Sequence, residues 1–257
     1  MRDFLETLQE DAAKDPEQRA RELSRRELPK RFYKEALHAT VEGGFVIKLD
    51  GRVVKTPGKK QLLVPGEALA KEIACEWQAQ EKEINPAAMP LTRISNSAID
   101  AVEDRFSEVA DDITKFAGTD ALCYRADGPE TLVERQNQQW EPVVAWAEGL
   151  LGGRFVRVEG LIHKEQPKAV LEAYRARLQA FSALQLAALH TITSLTGSAL
   201  LALALAEGVR SADDVWSAAF VEEDWNAEQW GEDTEAAHVR AYKRKEFDAA
   251  VLILLGH

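Results

Sequence analysis

The segment from Leu178 to Ala206 constrains the fold most strongly, because none of its 29 residues is charged. A helix of that length is long enough to span a bilayer. Polar side chains nevertheless interrupt the run throughout: Gln179, Ser182, Gln185, His190, Thr191, Thr193, Ser194, Thr196 and Ser198. We therefore predict that the segment is helical and buried inside the protein, and membrane insertion is the minority interpretation.

Composition and charge narrow the class of protein. The 257 residues are 46% hydrophobic and 29% charged, which is typical of a soluble globular chain with one or two cores. A net charge of −11 disfavours nucleic acid as a partner, because phosphate binding needs a basic surface. The two cysteines, Cys75 and Cys123, provide neither a disulfide framework nor a thiolate metal cluster, and a reducing compartment fits them.

The first thirty residues contain seven Lys or Arg and eight Asp or Glu, without an apolar run. This pattern excludes a secretory signal and also an acid-poor, arginine-rich transit peptide. We expect the chain as written to stay in the cytoplasm.

Hydrophobic periodicity divides the chain in two. From Arg31 to about Pro65, short runs rich in β-branched and aromatic residues alternate with turn signals. The Asp50-Gly51 pair predicts a β-hairpin, because both central turn positions favour positive φ. Residues 67–84 have helical spacing, and Asn85-Pro86 ends that helix. Beyond about Thr92 almost every segment has helical spacing.

The predicted helices of this second part cover residues 95–116, 129–151, 167–205, 212–229 and 232–255. Strand signals at ALCYR and FVRVEG are too weak to change this interpretation. We predict an α+β fold with a charged extension over residues 1–30. A small antiparallel β-rich domain with one helix follows over 31–90, and a larger, mainly α-helical domain covers 91–257.

The segment from Glu222 to His238, EEDWNAEQWGEDTEAAH, has seven carboxylates and two tryptophans. A di-iron site would need two Glu-x-x-His pairs on separate helices. Glu235 and His238 form one pair, but the other, Glu35 and His38, lies in a predicted strand, where positions three apart face opposite ways. A metal site is therefore disfavoured. The chain also lacks a nucleophile elbow and a glycine-rich phosphate loop, so we predict no enzyme and no cofactor.

Helix boundaries explain part of the acidic segment. Gly231 can end one helix, and the acidic residues after it suit the first turn of the next. The acidic residues before Gly231 fall in the C-terminal half of a predicted helix, where negative charge is unfavourable. Because tryptophan among charged residues is typical of binding hot spots, we predict a protein-binding surface. Its residues are Glu222, Glu223, Glu228 and Trp230.

A series of segments resembles the successive blocks of one family, in family order from Arg31 to about Ala237. The blocks are RFYKEA, LDGRVVKTP, ACEWQAQ, PLTRISNSAID, GTDALCYRAD, LVERQNQQWEPVVAW, Gln166-Pro167, LTGSALLALAL and EEDWNAEQWGEDTEA. The family is the assembly chaperone for the α subunit of the F-type ATP synthase head. The resemblance implies an ATP-independent chaperone that holds the α subunit until the β subunit replaces it. It also implies a bacterial cytoplasmic protein, or a mitochondrial matrix protein if the chain is a processed form.

The resemblance also assigns expected roles to individual residues. Trp77 matches the tryptophan of the first helix, and its apolar spacing predicts a core position. A buried hydrogen-bonded network is the first interpretation of the polar motif positions, and contact with the client α subunit is the second. These positions are Asn96, Asp100, Asp120, Tyr124 and Arg125. The helical domain is expected to be held together by Arg135, Gln136 and Trp140.

Two alternative functions remain open. A small carboxylate-using or metal-dependent enzyme would show a pocket with convergent polar groups. A structural protein would use its apolar helix faces in a permanent oligomer.

Overall fold

The computed structural model of the chain describes residues 28–160, 164–231 and 233–256. It divides into two compact units, and the predicted α+β class is confirmed. The first unit contains the described residues up to Asp100 together with those from Glu235 onward, and the second runs from Ala101 to Thr234. This division differs from the predicted boundary at residue 91. It also removes the last helix from the helical domain, to which the sequence had assigned it.

The first unit is built on a four-stranded antiparallel sheet. Its strands are β1 (Ala36–Val41), β2 (Gly44–Leu49), β3 (Arg52–Val53) and β4 (Leu63–Val64). Strand β2 is central and pairs with all three others. The β2–β3 turn confirms the predicted hairpin, because Asp50 has φ 46° and Gly51 has φ 81°.

Helix α1 (Glu67–Gln78) buries Leu69 and Ile73 against this sheet. The helix ends six residues earlier than its apolar spacing predicted, and Asn85 caps a 3₁₀ turn over Pro86–Ala88. Helix α2 (Pro90–Ser97) follows. Its N-cap residue, Met89, makes no side-chain hydrogen bond to the first turn.

Glu76 of helix α1 closes that turn instead. Its carboxylate accepts hydrogen bonds from the backbone N–H of Leu91 at 2.7 Å and of Thr92 at 2.8 Å, and from the Thr92 hydroxyl at 2.7 Å. Burial raises the pKa of Glu76, while the bonds from Thr92 and Leu91 oppose that shift. A residue fourteen positions before the helix thus supplies its N-terminal cap.

The last helix of the first unit, the C-terminal helix, covers Thr234–Leu255. It buries Phe247, Ala250 and Ile253, and its buried Glu246 accepts a hydrogen bond from Arg93 of α2. Since a buried carboxylate needs a partner, this ion pair gives a physical reason for its membership of the first unit.

The second unit contains seven helices among its described residues. They are α3 (Phe106–Gly118), α4 (Glu130–Leu151), α5 (Lys168–Leu178), α6 (Ala183–Thr196), α7 (Ala199–Ala206), α8 (Ala212–Ala219) and α9 (Val221–Trp230). The long helix predicted from residue 95 is interrupted by a π-helical turn over Ala98–Val102, so α2 and α3 are separate helices.

The uncharged run from Leu178 to Ala206 lies in the core of the second unit. It forms the end of α5 and all of α6 and α7, rather than one long helix. Ser182 caps α6, and Gly197, with φ 66°, separates α6 from α7. Every residue of α7 up to Leu205 is buried. In the described part of the chain, no helix is both long and apolar enough to cross a membrane.

The segments ALCYR and FVRVEG do contain strands, contrary to the helical prediction. Strands β5 (Tyr124–Arg125) and β6 (Val158–Glu159) form a short parallel pair. Each has only two residues, which is too short for a period-2 pattern to appear in the sequence.

Candidate partner-binding site

The acidic segment lies on α9, and its position in the helix differs from the sequence prediction. The helix predicted over residues 212–229 is broken at Phe220, whose backbone (φ −111°, ψ 21°) is not helical. Glu222, Glu223 and Asp224 therefore occupy the first turn of α9, where the helix dipole stabilises negative charge. Helix electrostatics alone accounts for these three carboxylates, and the prediction that they lie in the C-terminal half of a helix was wrong.

The break at Phe220 is stabilised by packing. The Phe220 side chain is buried, and its ring lies 4.2 Å from the ring of Trp216, centroid to centroid. Burial of two neighbouring aromatic rings stabilises this non-helical position. Because Val221 is the single buried residue of α9, the rest of that helix lies at the surface of the unit.

Two side chains of α4 hold α9 in place. Arg135 makes a bidentate ion pair with Glu228, with N–O distances of 2.8 and 2.7 Å. Gln136 is fully buried, donates to Glu222 at 2.6 Å and accepts from the backbone N–H of Ala126 at 2.9 Å. The bond from Arg135 lowers the pKa of Glu228, so this carboxylate is ionised at neutral pH.

Trp225 of the same helix donates its indole N–H to the Thr131 hydroxyl at 3.2 Å. Thr131 was not predicted as a site residue, and neither was Gln139. A signal for both was present in the sequence, since Thr131, Arg135 and Gln139 recur every four residues and therefore share one face of α4. That face meets α9.

A cavity of about 490 Å³ lies where α4 meets α8 and α9. Arg135 and Gln139 line it from α4, and Ser217, Asp224 and Glu228 line it from the other side. Val221 and Ala227 complete the lining, which therefore combines apolar groups with charges of both signs.

Trp230, the last residue of α9, is 84% exposed. An indole ring left in water loses the burial that normally stabilises a large aromatic side chain. Gly231 follows with φ 90°, a conformation that favours glycine, and ends the helix directly after the ring. The structure therefore brings Glu222, Glu223, Glu228 and Trp230 together on one exposed helix.

Asp120 occupies a different place, in the core of the second unit. Its carboxylate accepts from the backbone N–H of Leu122 at 3.0 Å and of Leu200 at 2.9 Å. It therefore links the 3₁₀ turn Ala121–Cys123 to the first turn of α7. Burial raises the pKa of Asp120 to about 6, against the lowering effect of its hydrogen bonds.

The neighbouring motif residues have separate roles. Tyr124 is half-buried, whereas Arg125 is buried, with its guanidinium 5.3 Å from the centre of the Trp140 ring. Trp140 is also buried and donates its indole N–H to the Ala218 carbonyl at 2.7 Å, which ties α4 to α8.

Trp77, Asn96 and Asp100 belong to the first unit. Asp100 accepts from the Thr56 hydroxyl at 2.6 Å and from the backbone N–H of Gly58 at 2.7 Å. The buried amide oxygen of Asn96 has no hydrogen-bond partner among the described residues. Trp77 is half-buried rather than fully buried; its ring packs 5.9 Å from that of Tyr33, centroid to centroid.

Within residues 28–160, 164–231 and 233–256, no group of three or more His, Cys, Asp or Glu side chains could hold a metal ion. His38 lies 3.2 Å from Glu67, measured from Nε2 to Oε1, and both belong to the first unit.

Comparisons with known proteins agree on one family. Residues 30–148 match the model of the ATP12 chaperone protein. The crystal structure of Atp12 from Paracoccus denitrificans is 38% identical, covers 88% of this chain and 97% of its own, and superposes with a TM-score of 0.79. The chain belongs to the ATP12 chaperone family. This confirms the resemblance found in the sequence and supports a role as an ATP synthase assembly chaperone.

Two further similar proteins show how much of the chain the likeness covers. A crystal structure of a protein from Agrobacterium tumefaciens is 47% identical, covers 99% of this chain and 96% of its own, and has a TM-score of 0.83. The mitochondrial protein atp12 of Schizosaccharomyces pombe is 26% identical over 239 residues, 87% of this chain and 81% of the yeast protein. The likeness to the ATP12 family therefore includes both units.

Proposed function

We propose that this protein binds the unassembled α subunit of the F-type ATP synthase head and hands it over to the β subunit. Binding needs no nucleotide hydrolysis, and the protein is not an enzyme. The proposal rests on the ATP12 family membership and on the resemblance of the sequence blocks to the α-subunit chaperone.

The observation that carries the binding site is the 84% exposed Trp230 at the end of the acidic helix α9. Helix α9 carries Glu222, Glu223, Asp224 and Glu228 and no basic residue. A free α subunit exposes the surface that it later buries against β. An acidic helix with an exposed indole is complementary to a client surface that combines basic and apolar groups.

The four predicted contact residues of α9 differ in how far other side chains of this protein engage them. Glu222 and Glu228 serve partly inside the molecule, through Gln136 and Arg135. Glu223 is exposed, and no hydrogen bond or ion pair engages it among the described residues. We therefore assign client contact chiefly to Glu223 and Trp230, with Glu222 and Glu228 adding negative potential at the same surface.

The bacterial cytoplasm is the proposed location. Both crystallised relatives come from bacteria and are 47% and 38% identical, whereas the mitochondrial relative is 26% identical. The mitochondrial matrix is the corresponding compartment for a processed form.

Gel filtration of the purified protein with isolated α and isolated β subunits tests the function. We expect a complex with α alone, no complex with β alone, and release of the chaperone when β is added to the preformed complex. A preference for β, or ATP turnover by the pure protein, would contradict the proposal. A stable homo-oligomer that ignores both subunits would instead favour the structural alternative.

Charge-neutral variants test the binding surface. Replacing Glu222, Glu223 and Glu228 by glutamine is expected to leave the fold intact, because glutamine keeps an acceptor oxygen for Gln136 and for Arg135 and the exposed Arg135–Glu228 charge pair contributes little to stability. Binding to α should weaken and lose its salt dependence. The matched control replaces three exposed glutamates of the first unit, Glu42, Glu72 and Glu81, which changes the net charge equally. Equal loss in both variants would show that overall charge, and not this helix, governs binding.

A further inference from the structure

A second cavity, of about 460 Å³, opens in the helical unit beside strands β5 and β6. It is large enough for a small ligand. Three cationic side chains line it, Arg125, Arg157 and Lys164, together with the carboxylates Glu141 and Glu159. The proposed client surface on α9 does not include any of these residues. A cavity whose lining has more cations than carboxylates is notable on a chain of net charge −11.

Arg125 lies deepest in this lining, with only 7% of its side chain exposed. Its Nη1 donates to the Asn137 side-chain oxygen at 3.1 Å, and its Nη2 donates to Glu141 at 3.2 Å. Its Nε is buried without a hydrogen-bond partner among the described residues. A guanidinium has five N–H donors, so this buried cation is incompletely satisfied.

Glu141 neutralises Arg125 only in part, because Arg157 shares it. The Glu141 carboxylate lies 2.5 Å from Nη2 of Arg157, much closer than its 3.2 Å distance from Arg125. Arg157 also contacts Glu148. Glu141 itself is 48% exposed, so it can rotate toward solvent without an opposing burial cost. In agreement with this geometry, burial lowers the pKa of Arg125, and Glu141 opposes that shift.

We propose that this cavity binds a carboxylate, with Arg125 as its principal partner and Arg157 and Lys164 as flanking cations. The planar guanidinium matches a carboxylate in bidentate geometry, which adds orientation as well as charge. The incoming group takes the place of Glu141 on Arg125, while Glu141 remains with Arg157. A free dicarboxylate and an acidic side chain of a bound peptide share this chemistry.

Isothermal titration at constant ionic strength tests the site with two probes, succinate and a short peptide with adjacent aspartates. For the probe that binds, we expect a dissociation constant on the order of 1–10 mM. Arg125 is buried, and its removal would leave Asn137 and Glu141 unpaired, so two exposed neighbours are changed instead. Glu141→Gln removes the competing carboxylate and should tighten binding about threefold, whereas Lys164→Ala should weaken it about threefold. Lys71→Ala, an exposed lysine of the first unit, should have no effect.

Binding of succinate alone would identify the source as a free carboxylate, and binding of the peptide alone would identify it as a protein side chain; both outcomes support the site. Absence of binding for both probes up to about 50 mM would overturn it. So would binding that Glu141→Gln weakens, or that Lys164→Ala and Lys71→Ala change equally. The result is independent of α-subunit binding, which is measured separately on the same variants.

Discussion

The buried carboxylate of Asp120 leads to a prediction about pH and stability. Burial raises its pKa from 3.8 to about 6, so the folded protein binds this proton more tightly than the unfolded chain. Its contribution to stability is therefore fully present below pH 3.8 and is lost as the pH rises through about 6. The difference between the two pKa values corresponds to about 3 kcal/mol.

The measurement compares the wild type with Asp120→Asn in urea unfolding between pH 4 and pH 7.5, with constant ionic strength. Asparagine keeps one acceptor oxygen, so the N–H of either Leu122 or Leu200 loses its partner, at a cost of roughly 1–3 kcal/mol. That cost does not depend on pH. The unfolding free energy of the wild type minus that of the variant should thus fall by about 2.4 kcal/mol between pH 4 and pH 7.5, because part of the full contribution of about 3 kcal/mol is already lost at pH 4.

The other carboxylates titrate in both proteins, so the difference isolates Asp120. The control is Asp127→Asn, because Asp127 is exposed on the segment between β5 and α4. This substitution removes one exposed carboxylate without removing a buried group, and its unfolding is measured in the same way. If the Asp120→Asn difference does not change with pH, the hydrogen bonds to the carboxylate fully offset its burial, and the reasoning is refuted.

Three further substitutions follow from the structure. Glu76→Ala removes the cap of α2 and should lower the unfolding free energy by about 2 kcal/mol, with Glu76→Gln intermediate in the same urea titration. Trp77→Arg should lower the melting temperature before it affects α-subunit binding, because the packed side of the ring would have to hold a charge; an unchanged melting temperature would place Trp77 at the surface. Trp230→Ala should weaken α binding by roughly 2 kcal/mol while leaving thermal unfolding unchanged. A sharp fall in its melting temperature would instead assign the ring to the core.

The sequence predicted the fold where the pattern was local and regular. The Asp50-Gly51 turn and the buried run from Leu178 to Ala206 are of this kind. Positive φ favours Asp-Gly at the turn, and burial excludes charged residues from the run. The helix break at Phe220 has no comparable local sequence signal. It depends on the contact of its ring with Trp216, and neither glycine nor proline marks it, so the acidic residues were placed at the wrong end of a helix.

Side-chain contacts between residues far apart in the sequence were the second feature that the sequence did not predict. The cap of α2 by Glu76 and the pair between Arg93 and Glu246 join residues that local periodicity cannot connect. The acidic and tryptophan-containing composition, together with the family resemblance, predicted the candidate surface on α9. The i, i+4 row of Thr131, Arg135 and Gln139 carries a local signal for the face of α4 that packs against it. The cavity at Arg125 depends on side chains from three segments, so no single motif predicts it.

The C-terminal helix has a consequence for synthesis of the chain. The first unit is discontinuous, since residues 101–234 are translated between its two parts. A ribosome adding roughly 5–20 residues per second needs about 7–27 s to pass through that stretch. During this interval Arg93 has been made and Glu246 has not. The first unit therefore cannot close before Glu246 has been made, and a chain that stalls within the second unit would lack the C-terminal helix that completes the first.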